Sequence, residues 1–107
     1  MITQRSTIIP IFNYKLGIII YDNWNEVKHL FDGGPEPSGI TKSSYGKALV
    51  AINSKRHSCV IHESEHIKNL IWEFINYKTV LGNDEVDAYL LTYIFSKIES
   101  VYIKHVR

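Results

Sequence analysis

One cysteine, Cys59, stands in 107 residues, so no disulfide closes within the chain and the fold relies on packing alone, as suits a reducing compartment. Long apolar runs are missing too. Runs such as Ile18 to Tyr21 and Ala48 to Ile52 fall far short of the roughly 20 residues that a membrane-spanning helix needs, and Met1-Ile2-Thr3-Gln4-Arg5 has no signal-peptide core. The expectation is a cytoplasmic protein without a membrane partner. Nor is there charge of one sign: Lys and Arg number 12 against 11 Asp and Glu, for a net charge of +1. That balance gives no overall field to draw in nucleic acid, and none is expected as a partner. The tightest basic run, Lys55-Arg56-His57, reads as a solvated turn. Proline is scarce at 3 residues, and two of them fall in Asp32 to Gly39, the one stretch of clear loop composition.

What is present is an ordinary globular balance, 45% hydrophobic and 21% charged, at a length that makes residues 1–107 a single domain with a modest core. Thr7 to Phe12 reads as a strand, placed at an edge by Pro10, which cannot donate a ladder hydrogen bond. Lys15 to Tyr21 is a second strand, whose Gly-Ile-Ile-Ile run implies burial on both faces. Trp24, Val27, Leu30 and Phe31 recur at helical spacing behind an Asp22-Asn23 cap. Tyr45 to Ile52 alternates as a third strand. Two longer helices follow, Cys59 to Tyr77 with a stripe of Ile67, Leu70, Ile71, Phe74 and Ile75, and Asp84 to Lys104, capped by Asn83 or Asp84. The fold class is α+β: a small sheet of about three strands with two long helices and one shorter helix.

The chemistry concentrates in His62-Glu63-Ser64-Glu65-His66. On a helix, residues i and i+4 share a face, so His62 and His66 can direct two imidazole nitrogens to one metal ion. Glu63 lies about 100° further round and reaches a water beside that ion without being a ligand. Catalytic zinc takes three protein ligands and an open position. Glu85, beyond an eighteen-residue interval, is the first candidate for the third, with Asp84 and Asp87 as alternatives. Asp84, Glu85 and Asp87 also complement the dipole at a helix start, a purely structural reason for their presence.

H-E-x-x-H with a glutamate at this distance, on the next helix, resembles the gluzincin branch of the zincin metallopeptidases, over Val60 to about Ile98. The pattern departs from that family at Glu65 and Lys68, where uncharged and hydrophobic residues are usual, and at Tyr89, where the family has an aspartate. The Asp84-Glu85-Val86-Asp87-Ala88-Tyr89 run is similar to short zincin-like proteins of bacteriophages and mobile elements, which extends the expected location to a virion. The resemblance implies a zinc-dependent metallohydrolase acting on a peptide or protein, with His62, His66 and Glu85 holding Zn²⁺ and Glu63 as general base. It also implies that the strand before the motif helix lies at the sheet edge and pairs with extended substrate, and that Tyr89 or Tyr93 serves the oxyanion. The alternative is a metal-binding or partner-binding protein without turnover, its shell closed by a fourth ligand from Asp84, Asp87 or His57.

Overall fold

A computed structural model describes residues 1–82 and 84–107. Its four strands are β1 (Ile2–Ile9), β2 (Tyr14–Tyr21), β3 (Gly39–Ser44) and β4 (Lys47–Asn53), and its two α-helices are α1 (Cys59–Ile75) and α2 (Glu85–Val106). The strands form one mixed sheet in the order β1-β2-β4-β3, with β2 and β4 parallel and both outer pairs antiparallel.

The α+β class stands, but two features of the expected architecture are corrected. The sheet has four strands instead of about three, because Gly39–Ser44 is a strand that its polar, loop-adjacent composition conceals. The expected short α-helix at Trp24–Phe31 is two 3₁₀ turns, Trp24–Glu26 and Lys28–Phe31, leaving two α-helices among the described residues. Trp24 and Val27 fall on one side of either helix type, and Phe31 reaches the same cluster from the second turn, so apolar spacing alone does not separate them. The strand expected over Thr7 to Phe12 begins earlier and ends before Pro10, which falls in the turn to β2.

Each sheet face has its own apolar cluster. On the helix side, Leu16, Ile18 and Ile20 of β2 and Val50 and Ile52 of β4 pack against Ile67, Ile71, Ile94 and Ile98. On the opposite side, Ile19, Tyr21 and Ala51 are covered by Trp24, Val27 and Phe31. Burial of both faces is therefore the physical reason for the unbroken apolar run in β2.

Helix α1 runs over β3 and β4, α2 over β1 and β2. Asp84 caps α2 by accepting from the Asp87 amide, while the alternative cap, Asn83, lies outside the described residues. The first turn of α2 docks on α1 through Asp87, which accepts from Lys68 Nζ at 3.0 Å and from Trp72 Nε1 at 2.6 Å. Among the described residues, no helix is long and apolar enough to cross a membrane.

The loop that delivers the chain to β3 is pinned by Glu36, whose Oε2 accepts from Tyr21 Oη at 2.8 Å and Asn53 Nδ2 at 2.7 Å. The Asn53 amide, assisted by the Tyr21 hydroxyl, holds the Glu36 carboxyl below the usual glutamate range against a desolvation cost. A depressed folded-state pKa contributes stability above the unfolded value, and that contribution disappears as pH falls through the folded value. Glu36→Gln is therefore expected to flatten the acid limb of thermal stability below about pH 4.3, the ordinary glutamate value. Identical acid limbs in melting curves of the two proteins would contradict this anchoring role.

Candidate metal centre

The first turns of α1 expose His62 and His66 on the flank facing β3. Their Nε2 atoms lie 3.1 Å apart, with ring planes at 78°. Two imidazoles on one tetrahedral zinc, with Zn–N near 2.0–2.1 Å, hold their nitrogens about 3.3 Å apart. The pair therefore has the spacing of a chelate before any side chain moves.

Glu63 occupies a different environment. It is 3% exposed, and its Oε1 accepts from Thr41 Oγ1 at 2.5 Å. Oε2 lies 3.9 Å from His62 Nε2. Among the described residues no Lys or Arg makes an ion pair with this carboxylate, although a buried charge ordinarily needs a paired charge or a metal beside it. Backbone makes room for it: a Cβ on Gly39 would stand 2.9 Å from Oε2. His62, Glu63 and His66 offer ligand atoms that all lie within 4.8 Å of one another. No other His, Cys or carboxylate among the described residues joins them.

Around this cluster lies a groove of about 470 Å³ between β3 and α1, lined by Gly39, Ile40, Thr41 and Ser43 on one side and by the histidines, Leu70 and Glu73 on the other. β3 is an outer strand, so one row of its backbone amides and carbonyls is free for another chain. The strand over Tyr45 to Ile52, expected at the edge, is instead β4 and sits between β2 and β3. Tyr45 and Gly46 belong to the β3–β4 turn.

Glu85 is placed elsewhere. It is exposed in the first turn of α2, and that turn meets α1 at Lys68 and Trp72. Lys68 lies about 200° round the helix from His66, so the docking that fixes α2 does not bring Glu85 into the cluster. Asp87 is taken by Lys68 and Trp72, and Asp84 accepts from Tyr77 Oη and the amides of Val80 and Asp87. Burial pushes the Lys68 ammonium down, and hydrogen bonds to Glu65 and Asp87 more than offset it, for a net rise. His57 turns to Glu99, 2.6 Å away, and stacks on Tyr102. His29 is exposed in the second 3₁₀ turn. Neither Tyr89 nor Tyr93 lines the groove, and Tyr89 is 70% exposed. The Cys59 thiol donates to Ser38 O, and burial raises its pKa.

Sequence reasoning missed Gly39 and Thr41, the two residues that shape the seat of Glu63. Their signal was faint: β-branched Ile40-Thr41 directly after a glycine at the end of a Pro-rich loop. Thr41→Val is expected to cost roughly 1–3 kcal/mol by removing a hydrogen bond from a buried carboxylate, and less in a Glu63→Gln background. Chemical denaturation of the four proteins checks this; equal losses in both backgrounds would contradict the coupling. Compared with protein-family models, curated proteins and solved structures, the chain finds no match.

Proposed function

We propose that this protein is a zinc-dependent metallohydrolase whose substrate is an extended polypeptide. The observation that carries the proposal is the buried Glu63 carboxylate, without a Lys or Arg partner among the described residues, beside two imidazoles at chelating distance. The two imidazole nitrogens suit zinc and supply two of the three protein ligands that a catalytic zinc takes. Zinc at this place supplies Lewis acidity, polarising a carbonyl and making water acidic enough to deprotonate near neutral pH.

The chain's own residues do the rest. His62 and His66 would hold the ion beside the groove that they line. Glu63, its Oε1 tied to Thr41, keeps Oε2 turned towards His62 and takes a proton from water there. The oxygen of that water would bond to the carbonyl carbon, and the same carboxyl oxygen would return the proton to the nitrogen as the peptide C–N bond breaks, releasing a carboxylic acid and an amine. The free edge of β3 supplies backbone hydrogen bonds that would hold a peptide extended along the groove, a recognition mode indifferent to most side chains.

The ligand count favours a second reading. Among the described residues His62 and His66 have no third partner other than Glu63, so a side chain of a partner protein would complete the shell and give metal-dependent docking without turnover.

With zinc added and an unfolded protein such as reduced casein as substrate, Glu63→Gln is expected to lower the cleavage rate by about 10²–10⁴-fold, the usual scale of general acid–base catalysis. Zinc affinity should change far less. Cleavage at an unaltered rate would contradict the proton-transfer role, and zinc-dependent binding of the substrate without cleavage by either protein would favour the docking reading.

A further inference from the structure

A second concavity, remote from α1, lies between the outer strand β1 and the C-terminal half of α2. It has a volume of about 200 Å³; Arg5, Lys97 and Lys104 line it, with no carboxylate among the described lining residues. Its position in the fold makes this composition informative. Lys97, Ser100, Val101 and Lys104 follow at i, i+3, i+4 and i+7, so they lie along one side of α2 at the border of its packed face, where Val101 is buried and Ser100 and Lys104 are exposed. On β1, Arg5 pairs in register with Ile18 and Thr7 with Leu16, both members of the helix-side core. Directly paired residues share a sheet face, so Arg5 and Thr7 point to the side that α2 covers. The rim where β1 meets α2 is thus polar and positive, with Arg5 and Lys104 exposed and Lys97 half-buried.

Among the described residues none of the three cations joins an ion pair. Arg5 donates to Gln4 O at 2.8 Å, and Lys97 Nζ sits 5.2 Å from the centre of the Tyr93 ring. One wall is held in place, since Thr3 Oγ1 is 2.7 Å from His105 Nδ1 and His105 Nε2 is 2.8 Å from Asp22 Oδ1. Three like charges around a small cleft repel one another, and an anion between them converts that repulsion into charge-assisted hydrogen bonds.

We propose that this cleft binds a small phosphate monoester, its phosphate held by Arg5, Lys97 and Lys104 with Thr7 and Ser100 as hydroxyl donors. The size fits a phosphate with a short body, being below the roughly 300 Å³ at which drug-sized pockets begin. No aromatic ring lines the cleft to stack a base, and the chain's net charge of +1 gives no wider basic surface for a polymer backbone. The inference is independent of the metal centre.

The experiment is an amide chemical-shift titration of the whole chain with glycerol 3-phosphate at low ionic strength, against sodium chloride matched for ionic strength. Saturable shifts at Arg5, Lys97, Ser100 and Lys104 are expected, with a Kd of about 1 mM or tighter. The Lys97→Gln/Lys104→Gln variant should bind at least about tenfold more weakly, and Arg5→Gln likewise, with unchanged spectra away from the cleft. Lys104→Arg should retain binding. Absence of saturation, or equal affinity in the glutamine variants, overturns the proposal. A mixed-sequence single-stranded oligonucleotide binding more tightly than the ester, with affinity falling steeply with salt, also overturns it, in favour of a nucleic-acid site.

Discussion

A carboxylate withdrawn from water sets the terms for the rest of this structure. Glu63 is nearly fully buried on the one flank of α1 that meets an outer strand, and the surrounding residues accommodate it: Gly39 by having no side chain, Thr41 by donating a hydrogen bond, Glu36 by pinning the loop that brings both to α1. Desolvating a carboxylate against a single neutral donor is costly, and a cation held by His62 and His66, as proposed, would offset the cost where no lysine or arginine among the described residues does. The same ion would give the carboxylate chemical use, so the stability problem and the proposed catalytic arrangement would share one physical origin.

The sheet order explains why the groove is where it is. With β4 enclosed between β2 and β3, the free edge beside the motif helix belongs to β3, and its residues Gly39 to Ser43 form the wall opposite the histidines. The other free edge, β1, lies under α2, where charge takes the place of apolar packing. The two outer strands thus border two chemically opposite depressions, one built around a buried negative charge and one around three positive charges.

Local and strongly periodic features were readable in advance. The stripe of Ile67, Leu70, Ile71 and Phe74 specified α1, the isoleucines of β2 announced a strand covered on both faces, and the i, i+4 rule placed His62 and His66 together. What escaped depends on contacts distant in sequence. β3 has few residues of high strand propensity and exists because it pairs with β4. Glu85 has a suitable interval from His66, but interval does not fix rotation: the orientation of α2 is set by Asp87 against Lys68 and Trp72, which leaves Glu85 exposed. The positive cleft joins Arg5 to Lys97 and Lys104 across nearly the whole chain, so no linear count of charge reveals it.

The central claim is that His62 and His66 hold a metal ion beside Glu63. Elemental analysis of the purified protein after zinc reconstitution and dialysis, next to the His62→Ala/His66→Ala variant, addresses it most directly. The account predicts about one zinc per chain in the parent, as a single two-histidine chelate requires, and none in the variant. Equal zinc in both proteins, or none in the parent, would contradict it.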